Sequence, residues 1–390
     1  MAATVSRSLR RGSTTRLNRN PAAAWRHLDV VLIGAVVAIG LLGTLMVWSA
    51  TRGPSSPYQT GFFTKQLAFV VIGMVLLAVV SLVDYRVFRD FALILYGAAC
   101  ATLLVVVSPL GSSSKGTQGW FQIGSFQLQP SEFAKLGLIF LLSAAASQFH
   151  GEIDLRRLAA LLAIGAAPLA LIMLQPDLGT GLVLVAILAG IMLVAGVPGR
   201  YLVGLFVVGA IGVVGVFHLH VLKEYQQARL TSFTAQDVSA KDNPELARAK
   251  YNVDQSKITI GAGGWGGEGL FNGSQTRLGN VPEQHTDFIF TAVGEQLGFM
   301  GGATLLSLFA IVAWRIWRTA QLARDPFGSL VCVGVLCLLM FQIFENVGMT
   351  MGIMPVTGIP LPFVSYGGSS TLAEFVAIGL VLNIHSRRFS

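Results

Sequence analysis

Apolar runs recur along nearly the whole chain, separated by short polar joints. Ten of them stand near 29–50, 63–83, 88–108, 132–149, 156–174, 178–195, 200–218, 287–314, 327–350 and 369–386. A helix needs about 20 predominantly apolar residues to cross the hydrocarbon core of a bilayer. The pattern therefore predicts an all-α polytopic integral membrane protein with about ten transmembrane helices. One connection, about 219–286, is far longer than the rest. It opens on a polar, helix-favouring stretch (LKEYQQARL), continues through Lys/Asp/Glu-rich sequence and ends rich in glycine. A connection of that length with its own patterning is usually functional. No inverted repeat of the transporter kind is evident along the chain.

Charge sets the orientation. The first 28 residues carry Arg7, Arg10, Arg11, Arg16, Arg19 and Arg26, with no acid before Asp29. Alternate joints then hold Arg86 and Arg89, Arg156 and Arg157, Arg200, Arg315, Arg318 and Arg324, and the chain closes on Arg387 and Arg388. The joints between them hold only Arg52, Lys65 and Lys115. By the positive-inside rule both termini are cytoplasmic and residues 219–286 lie outside. The domain reading is a basic cytoplasmic tail (1–28) followed by a single transmembrane domain (29–390). The first apolar run is longer than a secretory signal core and no small-residue cleavage site follows it, so it reads as a retained helix.

Composition narrows the function class. Of 390 residues 53% are hydrophobic and 12% charged, with a net charge of +8. Soluble domains carry about 25% charged residues. The basic excess is a topology signal, compatible with contact to anionic membrane lipids, and nucleic acid is not an expected partner. Cys100, Cys332 and Cys337 all fall inside apolar runs and read as buried hydrophobes, without disulfide or zinc spacing.

Against that apolar background the acids stand out. Glu132, Asp177, Asp287, Glu345 and Glu374 all fall toward the outer ends of their predicted helices. Interfacial solvation accounts for some; an electronegative, water-accessible outer cavity accounts for all five. Asp287 is the sharpest case, because PEQHTDFIF (282–290) is the point where a polar loop becomes an apolar run. An ionisable residue there is a functional-site hypothesis by default. Lys135 is the one basic residue well inside a predicted span, one helical turn after Glu132. An ammonium at that depth needs a carboxylate; Asp287 is the expected partner, and Glu132 is the local alternative. Three prolines in MPVTGIPLPF (354–363) forbid a continuous helix, and SYGGSS (365–370) opens the last span with free N–H groups suited to an anion such as phosphate. Gly261–Gly266 matches a dinucleotide fingerprint in form only, with no βαβ context. It is expected instead to be a flexible loop that lets backbone approach a bulky ligand.

Taken together, QPSEFAK (129–135), QPDLGT (175–180), Gln255-Ser256, PEQHTDFIF and PVTGIPLPFVSYGGSS (355–370) resemble the SEDS family (shape, elongation, division and sporulation) from about residue 29 to the end. The wording PVTGIPLP and the pair Gln275-Thr276 favour the branch that serves elongation over the one that serves division. The resemblance implies a bacterial inner-membrane peptidoglycan glycosyltransferase acting on lipid II, with a class B penicillin-binding protein, a transpeptidase, as partner. The family's essential acid falls on Asp287, the expected general base. Expected substrate-binding residues are Gln129, Glu132, Lys135, Arg277, His285, Ser365, Ser369 and Ser370. Clustered oxygen ligands suit Mg²⁺ or Mn²⁺ as a cofactor. The chain departs from the family at Gly119 and Glu268, where basic residues are usual, and in carrying Glu345 and Glu374. The rival readings are a flippase for a lipid-linked precursor and a non-catalytic scaffold for a transpeptidase.

Overall fold

A computed structural model describes residues 28–53, 59–114, 117–124, 126–149, 153–218, 227–228, 231 and 244–388. The basic tail and much of the first half of the 219–286 connection lie outside the described residues. Each of the ten predicted apolar runs falls on a helix. These are α1 (Val30–Thr51), α2 (Gly61–Leu82), α4 (Ala92–Val107), α5 (Pro130–Ser147), α6 (Leu155–Leu174), α7 (Leu178–Val194), α8 (Gly199–His218), α11 (Ile289–Leu322), α12 (Pro326–Thr350) and α13 (Gly368–Ser386). Six are long and apolar enough to cross a membrane by length and composition, and α4, α7 and part of α8 are shorter apolar helices. Short α3 (Tyr85–Asp90) sits between α2 and α4, while α9 (Pro244–Ala262) and α10 (Ser274–Leu278) lie within the long connection. Helix starts are set by Asp caps: Asp29, Asp154, Asp177 and Asp325 each accept a backbone N–H from the first turn of α1, α6, α7 and α12.

The addition to the helical pattern is a three-stranded antiparallel sheet between α4 and α5. Its strands are β1 (Ser112–Ser114), β2 (Thr117–Ile123) and β3 (Phe126–Leu128), in that order across the sheet. β2 and β3 pair Phe121 with Leu128 and Gln122 with Gln127, turning at Gly124 (φ 61°).

Close helix approach depends on small residues, as in membrane bundles generally. Gly73 on α2 lies directly under the ring of Phe375 on α13, where any Cβ would overlap the ring. The two ends of the bundle differ in chemistry. At one end Asp29 pairs with Arg315 at 2.6 Å, Asp84 with Arg387 at 3.4 Å, and the Tyr85 hydroxyl donates to Asp325. Burial and the Asp325 carboxylate push the Tyr85 phenol up to about 12. Asn383 donates to the carbonyls of Val80, Ser81 and Val83, tying α13 to the end of α2. The other end holds the polar cavity described below. All three cysteines are free thiols.

The glycine segment corrects one expectation. It is not a flexible, ligand-facing loop; it is packed on the chain itself. Helix α11 breaks at Gly298 (φ 66°, ψ −165°). The backbone groups released there are taken up by the glycine turn after α9. Glu268 N donates to Glu295 O (2.9 Å) and Gly269 N to Gln296 O (3.1 Å), while Phe299 N donates to Gly264 O (2.8 Å) and Met300 N to Trp265 O (3.1 Å). A broken membrane helix is tolerated where its freed groups are satisfied in this way. The glycines are required because the two backbones touch: a Cβ on Gly263 or Gly267 would meet the carbonyls of Gly294 or Gln296. Helix α9 is anchored by Ser256, whose hydroxyl donates to Thr350 O at 2.6 Å.

Candidate active site

The cavity has a volume of about 520 Å³ and opens where α2, α5, α7, α11 and α13 begin. One wall is the sheet, through Trp120, Gln122, Phe126 and Gln127. Asp287, His285, Lys135, Glu132, Gln129, Ser369 and Ser370 all border it. The structure thus brings together most of the residues singled out from sequence. Of the five acids, Glu132, Asp177 and Asp287 line the cavity. Glu345 and Glu374 lie buried in helices α12 and α13, the first accepting a hydrogen bond from Thr357 Oγ1 (2.9 Å) and the second from Phe363 N (2.7 Å).

Asp287 is held by its backbone. The three carbonyls of residues 285–287 are each gripped by another motif: His285 O accepts from Tyr366 N (2.9 Å), Thr286 O from Ser365 Oγ (2.7 Å) and Asp287 O from Asn346 Nδ2 (2.8 Å). Asn346 is fully buried and its Nδ2 also donates to Ile359 O at 2.8 Å. Gln284 Nε2 adds bonds to Ala50 O and Thr276 O. Glu283 accepts the Thr286 hydroxyl and takes a left-handed backbone (φ 56°). PEQHTD and PLPFVSYGG are therefore one device: each loop supplies hydrogen bonds the other needs. Half-buried Asp287 borders the cavity with its main chain immobilised, and an anchored main chain is the pre-organisation a reacting group requires.

Three expectations are corrected. Lys135 pairs with Glu132, not Asp287: Nζ lies 2.7 Å from Oε2, and both side chains are 4% exposed or less. A partner one turn away on the same helix face is reached without crossing the cavity. Ser365 does not border the cavity; its hydroxyl donates to Thr286 O and accepts from Leu361 N, so it is a fastening residue. Arg277 lines a second depression of about 310 Å³, with Thr51, Thr276 and Gln284, and not the cavity that holds Asp287. Ser369 does border the main cavity while accepting from Gln129 N and donating to Gln127 O.

Sequence reasoning missed Lys65, Asn346, Gln342 and Glu295. Lys65 is exposed one turn into α2, borders the cavity and forms no ion pair among the described residues. Its signal was present, a cation at the outer end of a span beside Gln66, whose amide donates to Ser365 O. Glu295, fully buried, accepts from Gln275 N, Thr276 N and the Thr276 hydroxyl, fixing α10. Tyr366 lies against Phe62, Phe69 and His285, and burial pushes its phenol up, so it stays a donor. Among the described residues no three His, Cys, Asp or Glu side chains come together to hold a metal ion.

Fold and site define a class: a multi-pass helical membrane protein with a polar pocket at one end, lined by a buried ion pair and by an acid whose main chain is clamped. The chain belongs to the FtsW/RodA/SpoVE family, described as cell cycle protein, whose profile matches residues 29–389. It is 32% identical over 374 residues to peptidoglycan glycosyltransferase MrdB of Escherichia coli (strain K12), covering 95% of this chain and 97% of that one. It is 34% identical over 362 residues to stage V sporulation protein E of Bacillus subtilis (strain 168), covering 91% and 96%. Among solved structures it resembles a chain of a peptidoglycan synthase complex (TM-score 0.78, 30% identity, 94% of this chain and 100% of that one). It also resembles the rod shape determining protein RodA of Thermus thermophilus (TM-score 0.69, 28% identity, 94% and 99%).

Proposed function

We propose that this chain is a peptidoglycan glycosyltransferase of the bacterial inner membrane that joins lipid II units into glycan strands during elongation. The observation that carries the reading is Asp287, its main chain clamped, on the wall of a cavity whose other walls supply Lys65, Lys135 and the start of α13. A sugar hydroxyl is a poor nucleophile and needs a positioned base. Asp287 takes the proton from the acceptor 4-hydroxyl as that oxygen attacks C1 of the donor. The bond from C1 to the pyrophosphate oxygen breaks, and undecaprenyl pyrophosphate leaves with the electron pair. One displacement inverts the α-linked donor to a β-glycosidic bond. Lys65, Lys135 and the N–H groups at Gly368–Ser370 stabilise the departing charge. Mg²⁺ or Mn²⁺ enters this proposal only as a companion of the pyrophosphate.

Both termini are proposed to be cytoplasmic and the cavity extracytoplasmic, since the arginine pairs and the cavity occupy opposite ends of the bundle. A class B penicillin-binding protein is the proposed partner, supported by the likeness to a chain of a synthase complex. A flippase would need polar access at both ends, and the site acids gather at one. The test is polymerisation of lipid II by purified protein, alone and with the transpeptidase. Asp287→Asn should lower the rate about 10²–10⁴-fold while expression and partner binding stay normal. Glycan made by Asp287→Asn at near the wild-type rate would refute the assignment.

A further inference from the structure

Gln342 on α12 is a polar residue that the fold does not use. It is 0% exposed, borders the main cavity, and neither its Nε2 nor its Oε1 has a hydrogen-bond partner. Buried amides are nearly always paired, and an unpaired one destabilises the state that holds it. An apolar residue of the same shape would pack better, so the amide has no evident purpose in folding.

Its surroundings point to a ligand. Helices α5 and α12 run antiparallel, with Gly334 seated against Ile139. Eight residues further along α12, roughly 12 Å at 1.5 Å per residue, Gln342 comes level with the first turn of α5. There Ser131, 1% exposed, also has a hydroxyl without a partner. The charged neighbours do not serve the amide: Lys135 and Glu132 hold each other, and Glu345, one turn after Gln342, takes Thr357 on Oε1 while its Oε2, like the amide, has no partner. Thr357 and Gly358 complete this part of the cavity wall.

We propose that Gln342 is a substrate-reading residue that binds an amide N–H with an oxygen acceptor beside it. The inference rests on the polymerase reading above. A carboxamide presents one acceptor and one donor side by side. A phosphate or carboxylate would use the donor and leave the carbonyl opposed to negative charge; a cation would use only the carbonyl. A 2-acetamido sugar or one residue of an extended peptide satisfies both. The lipid II headgroup contains both kinds of group, and the two are separable by experiment.

The experiment is equilibrium binding of labelled lipid II to the purified full-length protein. Gln342→Met keeps volume and removes both polar atoms. Affinity should fall about tenfold, as loss of a paired buried contact implies, with an unfolding temperature equal to or above wild type. Wild-type protein should lose a similar factor for one of two analogues, either 2-hydroxy in place of 2-acetamido or lacking the stem peptide, and Gln342→Met should be indifferent to that same change. The analogue that matters identifies the group read. Unchanged affinity of Gln342→Met, or a lowered unfolding temperature with unchanged affinity, overturns the inference. If Gln342→Met does not fold, the analogues on unaltered protein decide, and no loss with either overturns it. Wild-type protein that bound no lipid II would instead overturn the polymerase reading itself.

Discussion

Replacing Lys135 by Met tests the floor of the cavity directly. The ammonium sits 2.7 Å from Glu132 with side-chain exposures of 3% and 4%. Removing one partner of a buried pair costs about 3–5 kcal/mol, because the remaining charge is stranded. Total stabilities of folded domains are commonly about 5–15 kcal/mol, so the loss is a large share. The structure also dictates the rescue. If Glu132 is the partner, Glu132→Gln should restore most of the stability lost by Lys135→Met, because no uncompensated charge then remains. Asp287→Asn should restore little. Thermal unfolding of the purified variants in one detergent, arranged as two double-mutant cycles, measures both couplings. A Lys135→Met variant as stable as wild type would refute the argument, as would rescue by Asp287→Asn in place of Glu132→Gln.

Gly298→Ala should destabilise strongly. The position has φ 66° and an added Cβ would lie 2.7 Å from Trp265 O as well as against Gly267 N; backbone strain alone is about 1–3 kcal/mol. Gly34→Ala, in open space on α1, is the control and should be neutral or slightly stabilising, and the two unfolding temperatures give the comparison. A cysteine at Leu278, which is 70% exposed, should react with an impermeant maleimide in intact cells once the three native cysteines are removed. Labelling only after permeabilisation would invert the topology and move the site to the wrong compartment.

The chain alone determined a great deal. All ten helical runs were legible because a membrane-spanning helix writes its length as uninterrupted hydrophobicity, and the proposed orientation rests on arginine collecting on one side. Asp287, Glu132, Lys135 and the SYGGSS helix start stood out because charge and free N–H groups are conspicuous against an apolar background. Tertiary structure decided the partners. The spacing along α5 offered Glu132 to Lys135, but whether Asp287 on another element competes for it is decided only by how the helices pack. Asn346 reads as an ordinary polar residue, and Ser365 as a substrate-binding one, until folding places them under the carbonyls of Asp287 and Thr286. Arg277 is near Asp287 in sequence, yet it lines another depression, together with Gln284. The glycine run after α9 looked like flexibility because glycine permits it. Only the fold shows that those glycines are spent on contact with the broken helix α11, where backbone meets backbone and no side chain fits.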